Sequence, residues 1–226
     1  LPILSATGIL VSNKNQRKMK KIVLFVCTLI LTLFSSAQQA ERIKIEVAPN
    51  GRDLKIYPLP AKEGSPVLFI NQYGMPGFEI EGESRFEWSE YHDATEGKPE
   101  SINATKITYY NNLDHDGFLA SVESIELEYY DRLPGEAHST KLRYINTIEI
   151  TYYDIMQGPP KQGKIKSIGN IQLDYAYGFD NEGKLTRAGN YRIFYHQEDN
   201  RSGKSGKPDT IEGNDERLQL ILTTLL

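Results

Sequence analysis

Cysteine is nearly absent from this chain: Cys27 is the only one in 226 residues. It lies in the mainly apolar residues 22–34, so the chain downstream of that stretch holds no disulfide and no thiolate nucleophile or metal ligand. Long apolar runs are missing too. The longest, the mainly apolar residues 22–34, falls short of the roughly 20 residues that span a bilayer. The four histidines, His92, His115, His138 and His196, stand singly without metal-ligand spacing. No Gly-x-Ser-x-Gly elbow or readable nucleophile–base pair occurs. Gly203-Lys204-Ser205 ends like a phosphate loop, but Glu198 stands where the first glycine belongs. A catalytic residue is therefore not nominated by any motif.

What is present begins with an address. Met19-Lys20-Lys21, the apolar stretch and the small residues Ser35, Ser36 and Ala37 have the order of a bacterial export signal. Residues 1–18 then read as upstream sequence, residues 19–37 as a signal helix cleaved between Ala37 and Gln38, and residues 38–226 as one exported domain. Cys27 follows Val26 near the start of the apolar stretch, which is the wrong place for a lipid anchor. Five of the 26 basic residues and none of the 30 acidic ones precede the cleavage point, so the product carries a net charge of −9. Such an acidic surface repels phosphate backbones and anionic lipid, and neither nucleic acid nor a membrane is the expected partner. Periplasm, outer surface and extracellular space are the compartments this implies.

Five segments stack without gaps: Ile102-Asn-Ala-Thr-Lys-Ile-Thr-Tyr109, Val122-Glu-Ser-Ile-Glu-Leu-Glu-Tyr129, Ile145-Asn-Thr-Ile-Glu-Ile-Thr-Tyr152, Ile168-Gly-Asn-Ile-Gln-Leu-Asp-Tyr175 and Ala188-Gly-Asn-Tyr-Arg-Ile-Phe-Tyr195. Their starts lie 20, 23, 23 and 20 residues apart, the mark of a repeat architecture. Apolar and polar residues alternate as in a half-buried strand. Turn-forming stretches such as Leu133-Pro-Gly-Glu136 and Gln157-Gly-Pro-Pro160 separate the segments. The expected fold is all-β: an antiparallel meander of repeated β-hairpins, in a single curved sheet or open roll. Each segment is read as one strand followed by a turn and a return strand. Upstream, Asn50-Gly51 and Gly74-Met-Pro-Gly77 predict two further hairpins. Downstream, residues 218–224 predict a closing strand, with a short helix as the alternative, and residues 201–209 read as a loop.

Phe179-Asp-Asn-Glu-Gly183-Lys-Leu185 resembles the Tyr-Asp-x-x-Gly-Arg-Leu core of the YD repeats of Rhs-type proteins. Gly163-Lys-Ile-Lys-Ser-Ile-Gly-Asn170 and Gly183-Lys-Leu-Thr-Arg-Ala-Gly-Asn190 also resemble MORN-like repeats of about 23 residues. Together the likenesses cover residues 106–196. They imply stacked β-hairpins and no single activity. Rhs-type shells need many more repeats than this chain has.

The alternation assigns the columns Thr105/Ile125/Ile148/Ile171/Tyr191, Ile107/Leu127/Ile150/Leu173/Ile193 and Tyr109/Tyr129/Tyr152/Tyr175/Tyr195 to a buried face. Lys106/Glu126/Glu149/Gln172/Arg192 form a solvated one. Next to the last core column, Tyr110, Tyr130 and Tyr153 point the other way. Three aligned tyrosines on a solvent face suit a glycan or a surface protein, because each ring offers an apolar face and a hydroxyl. The bland alternative is a second packed layer.

Asn112-x-Asp114-x-Asp116-Gly117-x5-Glu123 satisfies the spacing of a calcium loop, with oxygen ligands at alternate positions, a glycine and a distal carboxylate. Both flanks read as strands where such a loop needs helices, and the repeat alignment makes it one turn among several. Three functions compete. The first is a non-enzymatic binding module working through the tyrosine column. The second is a self-associating envelope protein joined through edge strands. The third is a glycan-active hydrolase whose carboxylates the sequence does not locate.

Overall fold

The computed structural model describes residues 42–59, 65–80, 82–89, 95–178, 181–197 and 204–223. The export signal and its Ala37–Gln38 junction lie outside these residues, as do Phe179 and Asp180 of the YD-like motif. Two sheets make up the fold. One has five strands in the order β17-β1-β2-β3-β4, formed by β1 (Ile43–Val47), β2 (Leu54–Tyr57), β3 (Val67–Asn71), β4 (Pro76–Glu79) and β17 (Leu218–Leu222).

The other is an unbroken antiparallel meander. It runs through β5 (Phe86–Trp88), β6 (Pro99–Ile102), β7 (Thr105–Tyr109), β8 (Leu119–Val122), β9 (Ile125–Tyr129) and β10 (Leu142–Ile145). It continues through β11 (Ile148–Tyr152), β12 (Ile165–Ile168), β13 (Ile171–Tyr175), β14 (Leu185–Ala188), β15 (Tyr191–Tyr195) and β16 (Pro208–Glu212). Neither sheet closes into a barrel. The expected all-β hairpin meander is therefore observed, but split over two sheets. Its last strand is a strand, not a helix, and it leaves the meander to lie parallel to β1, with Ile43 opposite Leu218. Pro208 and Asp209, read as loop, open β16.

One correction concerns the repeat itself. Each eight-residue segment is not one strand but the end of a return strand, a two-residue turn and the next strand. Ile102 pairs with Thr105, Val122 with Ile125, Ile145 with Ile148, Ile168 with Ile171 and Ala188 with Tyr191. The first turn residue adopts a positive φ in all five, from Asn103 (51°) to Gly189 (55°), as tight hairpin connections require. At the other end of each hairpin, the ladder shifts register beside the strand-ending tyrosine, as between Thr108 and Tyr109 or Thr151 and Tyr152. Such a bulge lets both the first and the last residue of a four-residue return strand face inward, which regular alternation forbids. Leu119 and Val122, or Leu142 and Ile145, are buried together for this reason.

One hydrophobic core joins the two sheets. The column Ile107/Leu127/Ile150/Leu173/Ile193 is almost fully buried, each side chain contributing about 1.5–3 kcal/mol relative to exposure. Two turns of the small sheet feed backbone acceptors to adjacent repeats at their bulges: Gln72 O takes the N–H of Ile165 (2.8 Å) and Gly51 O that of Leu185 (2.9 Å). The tyrosine column clamps the hairpins. Tyr109, Tyr129, Tyr152 and Tyr195 donate to the carbonyls of Pro99, Leu119, Leu142 and Leu185 at 2.5–3.0 Å. Tyr175 Oη is buried without a partner.

Candidate functional site: the long-loop edge

The two-residue turns leave little room for chemistry, whereas the opposite edge of the meander carries loops of 9 to 12 residues, the first three being 110–118, 130–141 and 153–164. Each is closed in the same way. Tyr110 N donates to Phe118 O (2.8 Å), Tyr130 N to Lys141 O (2.8 Å), Tyr153 N to Lys164 O (2.9 Å), Ala176 N to Lys184 O (2.9 Å) and His196 N to Lys207 O (3.0 Å). The residue before the closing one has a positive φ: Gly117, Thr140, Gly163, Gly183 and Gly206, at 60–74°.

Four lysines that follow such a residue, the first after Gly97 (φ 72°), latch one repeat to the next; after Gly117 the place is taken by Phe118. Lys98, Lys141, Lys164 and Lys184 each donate Nζ to the carbonyl of the positive-φ glycine one repeat on, Gly117, Gly163, Gly183 and Gly206. The ammonium groups lie 4.8–5.3 Å over the rings of Tyr109, Tyr152, Tyr175 and Tyr195, a favourable cation–ring geometry. A Cβ on Gly183 would stand 2.8 Å from Lys164 Nζ, so the glycine serves both the φ angle and the approach of the lysine. Burial, with the charge of Arg52, pulls the Lys164 ammonium down to about 8.

The expected outward tyrosines sit at the foot of these loops, half-buried rather than on an open face. Tyr110, Tyr130 and Tyr153 donate their hydroxyls to Leu127 O (2.6 Å), Ile150 O (3.1 Å) and Leu173 O (2.9 Å), each one repeat on. Their rings meet Tyr129, Tyr152 and Tyr175 edge-on at 6.0–6.2 Å. The column is thus a second packed layer whose hydroxyls are engaged. Burial raises all three phenols, with help from Glu128 and Glu126 at Tyr110 and from Glu149 at Tyr130; Tyr153, beside Asp174, reaches about 12.

The calcium-like spacing resolves differently. Asn112 Oδ1 accepts the N–H of His115 (2.8 Å), a local turn of the kind Asn favours. His115 is buried among Tyr110, Phe118 and Tyr129 and meets Tyr130 O at 2.9 Å through Nε2. Asp114 and Asp116 are exposed on the loop, but Glu123 lies at the opposite end of β8, in a two-residue turn with φ 51°. The strand keeps the distal carboxylate from the others. Among the described residues no group of three or more His, Cys, Asp and Glu is placed to hold a metal.

The loops carry a feature that strand periodicity does not announce. Leu113 is 97 % exposed, Leu133 47 % and Met156 85 %. All three stand three residues after an outward tyrosine, at intervals of 20 and 23 residues, and so at one sequence position of three successive loops. Ile155 beside Met156 and Tyr177 on the next loop are also more than half exposed. The signal was available in the repeat alignment, had it been extended past the strands. Exposed among them are Asp114, Asp116, Asp131, Glu136, Asp154 and Glu182 against Arg132. Lys161 is buried and paired with Asp174 at 2.5 Å. The loops also hold one another: His138 packs on Tyr130 at 4.5 Å, Tyr177 donates to Gln157 O, and Lys161 lies over Tyr177 and Tyr153.

Two other places bear on chemistry. An open groove of about 800 Å³ on the outward face of β5–β7 is lined by Arg85, Glu87, Glu100, Ser101 and Lys106 among others. On the small sheet, Tyr57 meets Glu46 at 3.0 Å and Glu79 at 2.8 Å. Neither glutamate lines that groove. Burial opposes the ionised form of Glu79, yet hydrogen bonds from Lys55 and Tyr57 and the Lys55 charge hold its carboxyl below the usual value, the opposite of what a general acid needs. Neither a protein-family model, nor a curated protein, nor a solved structure matches this chain.

Proposed function

We propose that the chain is an exported, non-enzymatic binding module that grips a partner protein along its long-loop edge. The observation that carries this reading is the row Leu113, Leu133 and Met156, three apolar side chains held out to solvent at one position of three successive repeats. Apolar side chains exposed at the same position of successive repeats suit an interaction surface better than chance exposure of single residues. The latches and cross-loop contacts support it further, since pre-ordered loops lose little entropy on binding. Tyr110, Tyr130 and Tyr153 enter as the foundation of the edge. Their engaged hydroxyls favour a protein partner over a glycan, which would need them free.

The test is site-specific photocrosslinking in cells that export the chain. A photoreactive residue at 113, 133 or 156 is expected to trap a discrete partner, and the same residue at Glu126 or Gln172 on the outward sheet face to trap none. Absence of adducts from the loop positions, or equal adducts from both faces, overturns the reading.

A further inference from the structure

We infer that the partner docks as a cationic amphipathic helix laid across the loop tips; this rests on the loop edge being the binding surface. Equivalent positions in successive repeats are two strands apart, roughly 9.5 Å. Seven residues of α-helix advance about 10.5 Å, so side chains at every seventh position meet successive tips in turn. A strand places its same-face side chains about 6.7 Å apart and falls out of step. A polyproline segment advances about 9.3 Å in three residues, but such segments dock in aromatic-lined grooves, and the first three tips here are aliphatic or methionine, Leu113, Leu133, Ile155 and Met156, with a single aromatic ring, Tyr177, at the far end.

Aliphatic and methionine side chains form the adaptable surface on which the apolar face of a helix settles. The exposed charges of the flanks are Asp114, Asp116, Asp131, Glu136, Asp154 and Glu182 against Arg132 and Arg52, while the ammonium groups of Lys141, Lys164 and Lys184 are turned inward onto backbone carbonyls, so a helix bordered by Lys or Arg finds more complementary charge at the tips than one bordered by carboxylates. Crossing from Leu113 to Tyr177 spans three repeat intervals, and that length asks for a helix of about 20 residues.

The full chain is titrated with three synthetic 21-residue peptides at about 150 mM salt: one with Leu in a heptad stripe and Lys elsewhere, its Glu counterpart, and a Leu/Lys peptide of the first composition with the stripe scrambled. The striped cationic peptide is expected to bind at least about tenfold tighter than the scrambled one. The variant Leu113→Ser/Leu133→Ser/Met156→Ser is expected to lose at least that factor. Asp114→Asn/Asp116→Asn/Asp131→Asn is expected to weaken binding and flatten its salt dependence. These solvent-facing changes leave the β-sheet circular dichroism unaltered.

Equal binding of striped and scrambled cationic peptides overturns the helix. A preference for the Glu peptide that the apolar triple variant abolishes overturns the cationic partner and leaves the loop edge standing. Binding of none of the three overturns the helix, while photocrosslinks from positions 113, 133 and 156 still decide the edge itself. If binding is unaffected by the apolar triple variant and those crosslinks are absent as well, both readings fall together.

Discussion

Tyrosine does two jobs in this protein, and they differ by one residue. Tyr109, Tyr129, Tyr152, Tyr175 and Tyr195 end their strands facing inward, and period-two alternation identifies them as core. Tyr110, Tyr130 and Tyr153 follow directly, and alternation alone sends them to solvent. They leave strand geometry instead, because each N–H closes a loop and each ring folds over the edge to the next repeat. Alternation fixes where Cβ points only while the strand lasts.

The pH dependence follows from the same residues. Burial raises the phenols of Tyr129, Tyr152 and Tyr195 above the usual 10, and Tyr175 well above it, while Tyr153 reaches about 12. A raised phenol contributes stability that is complete below pH 10 and is lost as pH climbs through the folded value, since the unfolded chain sheds its protons first. Lys164 acts with the opposite sign. Its folded value near 8 lies below the ordinary 10.5, so between those limits the unfolded chain holds the extra proton and stability rises with pH. Thermal stability is therefore expected to climb slightly from pH 8 to 10 and then fall steeply. The phenolate absorbance of the buried tyrosines at 295 nm should rise together with loss of the β-sheet circular dichroism. Smooth ionisation of all tyrosines near pH 10 in a folded chain is the outcome that contradicts it.

At the scale of elements, the repeat was legible and its internal punctuation was not. Ile102 and Thr105, or Val122 and Ile125, are three apart, an odd step that breaks a strict alternation. In a two-residue hairpin those residues face each other on one side of the sheet, so the odd step is the turn. Asn146 and Gly169 are good turn residues, but Glu123 at φ 51° is not, and it hid the pattern while lending itself to a calcium motif. The passage from the meander to the small sheet was invisible for another reason: its anchor is a tertiary contact. Asp215 accepts Nε (2.8 Å) and Nη2 (2.7 Å) of Arg217, the Arg217 N–H (3.1 Å) and, across the turn of another hairpin, the Asn190 N–H (3.2 Å). Its side chain is 2 % exposed. The Arg217 hydrogen bonds, against burial and with the backbone N–H donors, hold the Asp215 carboxyl at about 2. A lowered carboxyl gives stability that is present above about pH 4 and lost as pH falls through the folded value. Asp215→Asn is expected to cost about 2 kcal/mol in urea unfolding at pH 7. The gap between variant and parent should shrink as pH approaches 2; a gap that stays constant with pH assigns the loss to packing instead.

At the scale of the whole molecule, the question is what the ends of the long sheet do, because an open meander has two edges and edges invite pairing. The β16 edge begins with Pro208, which has no N–H to offer, and carries Asp209 and Glu212, so it resists addition of another strand. The β5 edge carries Phe86 and Trp88, exposed and stacked at 5.5 Å. Because Phe86 pairs with Ile102 and Ile102 with Thr105, these rings continue the inward, apolar side of the meander. How far the second sheet reaches along the first was not readable in the sequence, since it depends on which strands pair. Self-association through an edge strand is the structural alternative to a binding module. At the β5 edge its size weighs against it: β5 offers a three-residue ladder, Arg85 and Glu87 flank the rings, and the exposed parts of four aromatic side chains amount to a few hundred Å² against the roughly 1,200 Å² of a stable interface. The chain is expected to sediment as a monomer at about 10 μM, a concentration at which a dimer this small does not persist. Trp88→Lys should leave that result unchanged while altering only the intrinsic fluorescence. A dimer that Trp88→Lys dissolves would move the balance to the envelope-building reading, because the apolar end of the sheet would then be the surface the molecule uses.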